Sequence, residues 1–203
     1  MTIANYLTFF RIFVSPIFLL IYIAHESIGI SPFFLPYVLL FLLAVAELSD
    51  AFDGYLARKY NQVTDFGKII DPMADSISRI SVFLTFTLEP IRVPMLLIFV
   101  FLYRDSVVST LRTICALRGF ALAARISGKI KAMIQAITAI VIVILMIPQS
   151  LGAITTETLH EASTWLVGIA AAYTFLSGVD YIYANRQYIA RLLTLPPQKE
   201  NLK

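Results

Sequence analysis

The sequence predicts an all-α integral membrane protein with six transmembrane helices and a short interfacial helix at the N-terminus. Hydrophobic residues make up 59% of the chain and charged residues only 14%, whereas soluble domains average about 45–50% and about 25%. A helix needs roughly 20 apolar residues to cross a bilayer, and apolar segments of that order recur along the chain. A length of 203 residues without a repeat or a long linker fits one domain over residues 1–203.

The elements follow one another with short connections. Asn5, Thr8 and Arg11 recur at three-residue spacing, which predicts a polar stripe on a helix lying at the membrane surface. The first crossing is too apolar for a cleaved signal and lacks a convincing small-residue cleavage site, so we expect it to be retained. The six crossings are expected at about 12–28, 33–56, 70–88, 92–115, 130–148 and 163–184.

Basic residues predict the orientation in the membrane. They concentrate at 58–68, at 112–131 and in the tail from 186 onward, whereas Arg92 is the only basic residue on the opposite side. Because basic loops stay in the cytoplasm, we expect both termini and the active site to face the cytoplasmic side of the inner membrane. The basic surface would attract anionic membrane lipids. The net charge of +3 is too small to indicate nucleic acid.

One acidic motif runs across the end of the second crossing and the start of the third. Ionised carboxylates inside apolar segments are costly and usually functional. On helices, Asp50 and Asp53 share one face, as do Asp71 and Asp75. Together the two faces would form an oxygen-lined site for divalent cations, with small residues beside it that let a ligand approach. The full motif is Asp50-x2-Asp53-Gly54-x2-Ala57-Arg58-x8-Gly67-x3-Asp71-x3-Asp75.

Charge explains why such a site would need metal ions. Four bare carboxylates would repel one another, and they would repel any substrate that carries phosphates. Carboxylates bind hard ions such as Mg²⁺ or Mn²⁺, and the ions bind phosphate oxygens. Two such cations can stabilise the attacking and the leaving oxygen together. The motif therefore predicts two divalent cations.

The eight motif positions resemble the signature of the CDP-alcohol phosphotransferases, membrane enzymes that build phospholipid headgroups, with no departures. The resemblance implies that Asp50, Asp53, Asp71 and Asp75 hold the two metal ions. It also implies that Asp75 is the general base. Asp75 would deprotonate a hydroxyl that attacks the β-phosphorus of a CDP-linked lipid, CDP-diacylglycerol, with release of CMP.

The same resemblance implies a nucleotide site. Arg58 would grip the pyrophosphate, although it could also be a positive-inside anchor. The run from Asn5 to Arg11 is similar to the Asn-x-x-Thr-x-x-Arg opening of the family, whose stripe caps the nucleotide; an ordinary membrane anchor is the alternative. Asp65 could contact the nucleotide or only initiate a turn. The predicted nucleotide-binding residues are Asn5, Thr8, Arg11, Gly54, Ala57, Arg58, Asp65 and Gly67.

Basic residues of the fourth and fifth crossings predict the acceptor site. Arg104 and Arg112 share a helix face, and Lys129 and Lys131 could converge on it. Such a pocket suits a phosphorylated acceptor, because Arg and Lys bind phosphate oxygens well. The alternative is that Arg104 and Asp105 form only an internal ion pair.

Several segments resemble the phosphatidylglycerophosphate synthases within the family, which implies sn-glycerol 3-phosphate as the acceptor. Three positions depart from that pattern: Asp105 stands where glutamate is common, Ser76 where lysine is frequent, and Ala132 where threonine is common. Arg79 could be a further phosphate contact or a counter-charge to Asp75, and Asp180 is expected to pair with a basic residue. Because the family is commonly dimeric, we expect a homodimer.

Two alternatives remain open at this point. A sister enzyme would use another acceptor: inositol phosphate, serine or the headgroup of an existing phospholipid. A cation transporter would use the carboxylates to carry its ion. Transporters usually place such charges near the midplane on broken helices, whereas these lie near one boundary.

Overall fold

A computed structural model of the chain describes residues 3–59, 65–117, 122 and 125–194, with side chains for 12–49, 52, 73–115, 122 and 125–190. This part of the chain is helical, with no strand. The predicted all-α class is therefore confirmed. The helices are α1 (Ile3–Ala24), α2 (Leu35–Lys59), α3 (Asp65–Thr85), α4 (Met95–Leu117), α5 (Ile126–Ser150), α6 (Thr156–Ala184) and α7 (Arg186–Thr194).

The helices pack around one apolar core. α1 contacts α2 and α3, α5 contacts α2 and α6, and α4 contacts α3 and α6. Aromatic rings join three of these elements: Phe83 meets Phe101 edge to face with ring centroids 4.8 Å apart, and Phe18 meets Phe86 in the same way. Edge-to-face ring pairs add to the stabilisation from burial. The core therefore fixes α1, α3 and α4 against one another.

Large apolar side chains also cover much of the outer surface. Leu96 is 76% exposed, Trp165 is 75% exposed and Phe41 is 67% exposed, while Thr174 and Ser163 are fully buried. Soluble monomers rarely expose extended apolar surface, and larger patches mark contact with membranes or partners. The distribution of side chains therefore supports the predicted membrane location.

Two described helices are long and apolar enough to cross a membrane: α5 and α6. They correspond to the fifth and sixth predicted crossings. Shorter apolar stretches occur at Ile12–Ala24 and Leu35–Ser49. α4, where the fourth crossing was predicted, carries three charged residues within its length, namely Arg104, Asp105 and Arg112. The count of six crossings stays a prediction.

The two ends of the chain differ from the predicted element list. The backbone of residues 5–11 belongs to α1, which continues without interruption to Ala24. Because this stretch contains neither glycine nor proline before Pro16, nothing in it ends a helix. An interfacial position for its first turns stays a prediction. At the other end, the short helix α7 follows Asn185 and was not predicted.

Candidate active site

The carboxylate motif lies on the helices that its spacing requires. The backbone places Asp50 and Asp53 on α2, and Asp71 and Asp75 on α3. Of the motif side chains, only that of Asp75 falls in the described part. The side-chain environment of the other predicted metal-binding and nucleotide-binding residues lies outside the described part, so their roles stay predictions. These residues are Asp50, Asp53, Asp71, Asn5, Thr8, Arg11, Gly54, Ala57, Arg58, Asp65 and Gly67.

The half-buried Asp75 side chain borders two cavities. The first, which we call the inner cleft, has a volume of about 40 Å³ and lies between α2, α3 and α5. Its polar lining is Glu47, Asp75, Ser78, Arg79 and Gln135. The second is the basic cavity described below. Asp75 is therefore placed where a group in either cavity can reach its carboxylate.

Glu47 and Gln135 are polar residues of the inner cleft to which the sequence pattern assigned no role. Glu47 lies one turn before Asp50 on α2, a spacing that could have identified it. Gln135 is 1% exposed, and its Nε2 donates a hydrogen bond to Thr174 Oγ1 at 3.2 Å. Its Oε1 is buried with no hydrogen-bond partner among the described residues. As far as the described residues show, the cleft that Asp75 lines therefore also contains an unused oxygen acceptor.

The basic cavity has a volume of about 240 Å³ and lies between α3, α4 and the start of α5. All four predicted acceptor-binding residues line it: Arg104, Arg112, Lys129 and Lys131. Arg79 and Arg125 line it as well, so six basic side chains face two acidic ones, Asp75 and Asp105. The structure therefore brings the predicted cations together, and the excess of positive charge suits an anionic ligand.

Asp105 is the buried centre of this lining. Lys131 Nζ donates to Oδ1 and Oδ2 of Asp105, both at 2.8 Å. Arg104 Nη1 donates to Oδ1 at 3.0 Å, and Ser76 Oγ donates to Oδ2 at 3.2 Å. The predicted internal ion pair is thus present, and Lys131 belongs to it as well. We call these four residues the Asp105 cluster.

Arg112, Arg79 and Lys129 differ in the hydrogen bonds that they make with the protein. Arg112 Nε donates to the Tyr181 hydroxyl at 3.3 Å. Arg79 Nη1 donates to the carbonyl oxygen of Ala132. Lys129 is exposed and has no hydrogen-bond or ion-pair partner among the described residues. Among the described residues, Lys129 therefore offers an unengaged ammonium group at the cavity.

Asp180 pairs with the basic residue Arg125, so the expected pairing is confirmed. Its carboxylate accepts two hydrogen bonds from Arg125, from Nε at 2.9 Å and from Nη2 at 3.0 Å. Ser127 Oγ donates to the same carboxylate at 2.6 Å. Arg125 and Asp180 keep 42% and 39% of their side-chain surface exposed. This pair therefore lies at the rim of the cavity, whereas the Asp105 cluster lies inside it.

Comparison with known proteins gives the chain its family. The family model for the CDP-alcohol phosphatidyltransferases matches residues 1–179. A CDP-diacylglycerol–glycerol-3-phosphate 3-phosphatidyltransferase of Rickettsia typhi is 36% identical over 186 residues, which cover 91% of this chain and 97% of the relative. A Bacillus subtilis protein of the same name is 32% identical, covering 89% and 93%.

A third relative agrees with these two. A probable phosphatidylglycerophosphate synthase of Mycobacterium tuberculosis is 31% identical, covering 89% of this chain and 79% of the relative. The family match includes the whole acidic motif and the residues that line the basic cavity. On this similarity the chain belongs to the CDP-alcohol phosphatidyltransferase family.

Proposed function

We propose that this protein transfers a phosphatidyl group from CDP-diacylglycerol to sn-glycerol 3-phosphate, forming phosphatidylglycerol phosphate and CMP in phospholipid biosynthesis. Relatives in Rickettsia and Bacillus bear the name of this activity. The observation that carries the proposal is a cavity with six basic side chains that is bordered by Asp75. Such a cavity supplies a binding site for a phosphorylated alcohol beside a carboxylate that can accept its proton.

Asp75 is the proposed general base. Its carboxylate would accept the proton of an acceptor hydroxyl, and the resulting oxygen would attack the β-phosphorus of CDP-diacylglycerol. A new bond forms between that oxygen and the β-phosphorus. The bond from the β-phosphorus to the bridging oxygen breaks, and CMP leaves with that oxygen. The position of Asp75 supports this role, because its side chain borders both the basic cavity and the inner cleft.

Two divalent cations, Mg²⁺ or Mn²⁺, are part of the proposal. The donor set fits them: four motif carboxylates supply only oxygen, which hard cations prefer. Asp75 is a ligand in this scheme, and the unused Gln135 Oε1 adds an oxygen acceptor to the neighbouring cleft. Within the described side chains no group of three acidic, His or Cys residues forms a metal site. When bound, the cations would balance the charge between carboxylates and pyrophosphate.

The acceptor phosphate would be bound by two kinds of basic residue. Arg104 and Lys131 are already engaged by Asp105 and contribute fixed positive charge. Arg112 and Lys129 retain N–H groups that could donate to phosphate oxygens. Charge-assisted hydrogen bonds to phosphate are about twice as strong as neutral ones. The arrangement therefore favours an acceptor that carries a phosphate.

The remaining parts of the proposal follow the family. The nucleotide would lie near the motif and the N-terminal stripe of Asn5, Thr8 and Arg11. The enzyme would be a homodimer in the inner membrane, with both termini and the active site facing the cytoplasm. The distribution of basic residues supports that orientation.

A sister reaction with another acceptor is the second candidate. Serine carries no phosphate, so the positive excess of the basic cavity argues against it. Inositol phosphate shares the phosphate with glycerol 3-phosphate, and the names of the relatives favour the glycerol compound. The cation transporter has no support from any of these names.

The direct test is CMP release by purified protein in vesicles that contain CDP-diacylglycerol. The assay compares glycerol 3-phosphate, inositol phosphate and serine in the presence of Mg²⁺, with Asp75→Asn and excess chelator as controls. We expect CMP release with glycerol 3-phosphate that both controls abolish. Release only with another acceptor would contradict the acceptor assignment. No release with any acceptor would contradict the enzymatic function.

A further inference from the structure

Helix α6 contacts both α4 arginines of the basic cavity through buried hydroxyl groups. Ser177 Oγ accepts a hydrogen bond from Arg104 Nε at 3.2 Å. The Tyr181 hydroxyl accepts one from Arg112 Nε at 3.3 Å. Ser177 and Tyr181 are four residues apart on one helix face, and they are 3% and 1% exposed. One buried face of α6 therefore holds both arginines.

Asp180 lies at the edge of this face and holds a third arginine of the cavity. It accepts two hydrogen bonds from Arg125 and one from Ser127. Arg125 is the N-cap of α5, and Ser127 lies in the first turn of that helix. Asp180 therefore ties the start of α5 to α6. The same first turns of α5 carry Lys129 and Lys131.

Gly178 provides the space in which the Arg104 side chain lies. A methyl group added at Gly178 would be 3.0 Å from Arg104 Cγ. Because Cγ lies near the fixed end of the side chain, it cannot move away without shifting the guanidinium group. At Gly168, ten residues earlier in the same helix, an added methyl group would have no described atom within 4 Å. Gly168 is therefore a matched control.

The contacts with α6 leave the two terminal nitrogens of Arg112 available to a ligand. Its Nε is bound to Tyr181, and it makes no other hydrogen bond among the described residues. Its guanidinium carbon lies 5.4 Å from the centroid of the Tyr181 ring, within cation–π distance. The two terminal nitrogens can therefore donate to an anion in a direction that Tyr181 sets.

We propose that Ser177, Gly178, Asp180 and Tyr181 form a positioning face on α6 that orients the arginines of the basic cavity toward the acceptor phosphate. This inference rests on the proposed function and extends it to residues that act through the arginines. Donors held in place before binding lose less conformational freedom when the ligand arrives. Loss of the positioning face should therefore raise the KM for the acceptor and leave the KM for CDP-diacylglycerol unchanged.

The test uses Gly178→Ala and Tyr181→Phe in the CMP-release assay, with glycerol 3-phosphate and CDP-diacylglycerol varied in turn. For each variant we expect the KM for glycerol 3-phosphate to rise about fivefold or more, as for the loss of one hydrogen bond. The KM for the lipid should stay at its original value. Gly168→Ala and Tyr183→Phe are matched controls on the same helix, and both should leave both constants unchanged. Asp180→Asn, which keeps the size of the side chain, supplies a third variant should Gly178→Ala not fold.

Three results would overturn the positioning face. The first is an unchanged KM for the acceptor in active Tyr181→Phe and Asp180→Asn proteins. The second is an equal rise in both KM values, which would indicate a purely structural role. The third is a fall in kcat that parallels a fall in thermal stability. If the wild type instead uses another phosphorylated alcohol, glycerol 3-phosphate is wrong as the acceptor, and the same variants test the face with that alcohol. If no acceptor supports CMP release, both proposals are overturned.

Discussion

Two ion-paired carboxylates organise the basic cavity, and they differ in their access to solvent. Asp105 is 6% exposed and accepts hydrogen bonds from Lys131, Arg104 and Ser76. Asp180 keeps 39% of its side-chain surface exposed and binds Arg125 and Ser127. A buried charge that loses its partner costs several kcal/mol, whereas an exposed ion pair contributes about 0–1 kcal/mol. The ion pairs of Asp105 should therefore contribute more to stability than the exposed pair of Asp180.

Asp105→Ala should have the largest effect on stability. The substitution leaves the buried Lys131 ammonium and the half-buried Arg104 guanidinium without their carboxylate, so the free energy of unfolding should fall by about 3–5 kcal/mol. Denaturant unfolding of the purified protein in detergent measures this. Glu89→Gln is the matched control, because Glu89 forms an exposed ion pair with Arg92. If Asp105→Ala lowers the free energy of unfolding no more than Glu89→Gln does, the distinction between buried and exposed ion pairs is contradicted.

Lys131→Met should have an intermediate effect. Asp105 would keep its hydrogen bonds from Arg104 and Ser76, so only one charged partner is lost. The free energy of unfolding should fall by about 1.5–3 kcal/mol, as for other hydrogen bonds to charged groups. The same unfolding measurement tests it. A loss larger than that of Asp105→Ala would show that Lys131, and not Asp105, is the centre of the cluster.

Asp180→Asn should have the smallest effect on stability. The exposed pair with Arg125 is screened by water, so the free energy of unfolding should change no more than it does for Glu89→Gln. The difference from the wild type should shrink further as salt is added. Unfolding at low and high salt measures both. A salt-independent loss as large as that of Asp105→Ala would place Asp180 with Asp105 as a buried structural group.

The sequence predicted which basic residues line this cavity better than it predicted their contacts. Arg104, Arg112, Lys129 and Lys131 were identifiable because charges inside apolar segments are costly. Ser76 was noticed only as a departure from the family, and its hydrogen bond to Asp105 explains how it fits there. The all-helical fold followed from apolar segments of the length that a membrane requires.

The residues of α6 could not be identified in the same way. Arg125 and Asp180 are 55 residues apart, and no local spacing relates them. Tyr181 and Ser177 are ordinary residues for an apolar helix, and only packing against α4 brings their hydroxyl groups to arginines. The unbroken α1 was also missed, because a polar stripe predicts a surface but not the point at which a helix ends.

The central claim is that the basic cavity binds the phosphate of the acceptor, and Arg112→Gln tests it most directly. The measurement is the KM for glycerol 3-phosphate and for CDP-diacylglycerol in the CMP-release assay, with Arg186→Gln on α7 as the control. Loss of a charged hydrogen-bond donor to phosphate should raise the KM for glycerol 3-phosphate about tenfold or more. The KM for CDP-diacylglycerol should not change, and the control should match the wild type. An unchanged KM for glycerol 3-phosphate in active Arg112→Gln protein would contradict the account.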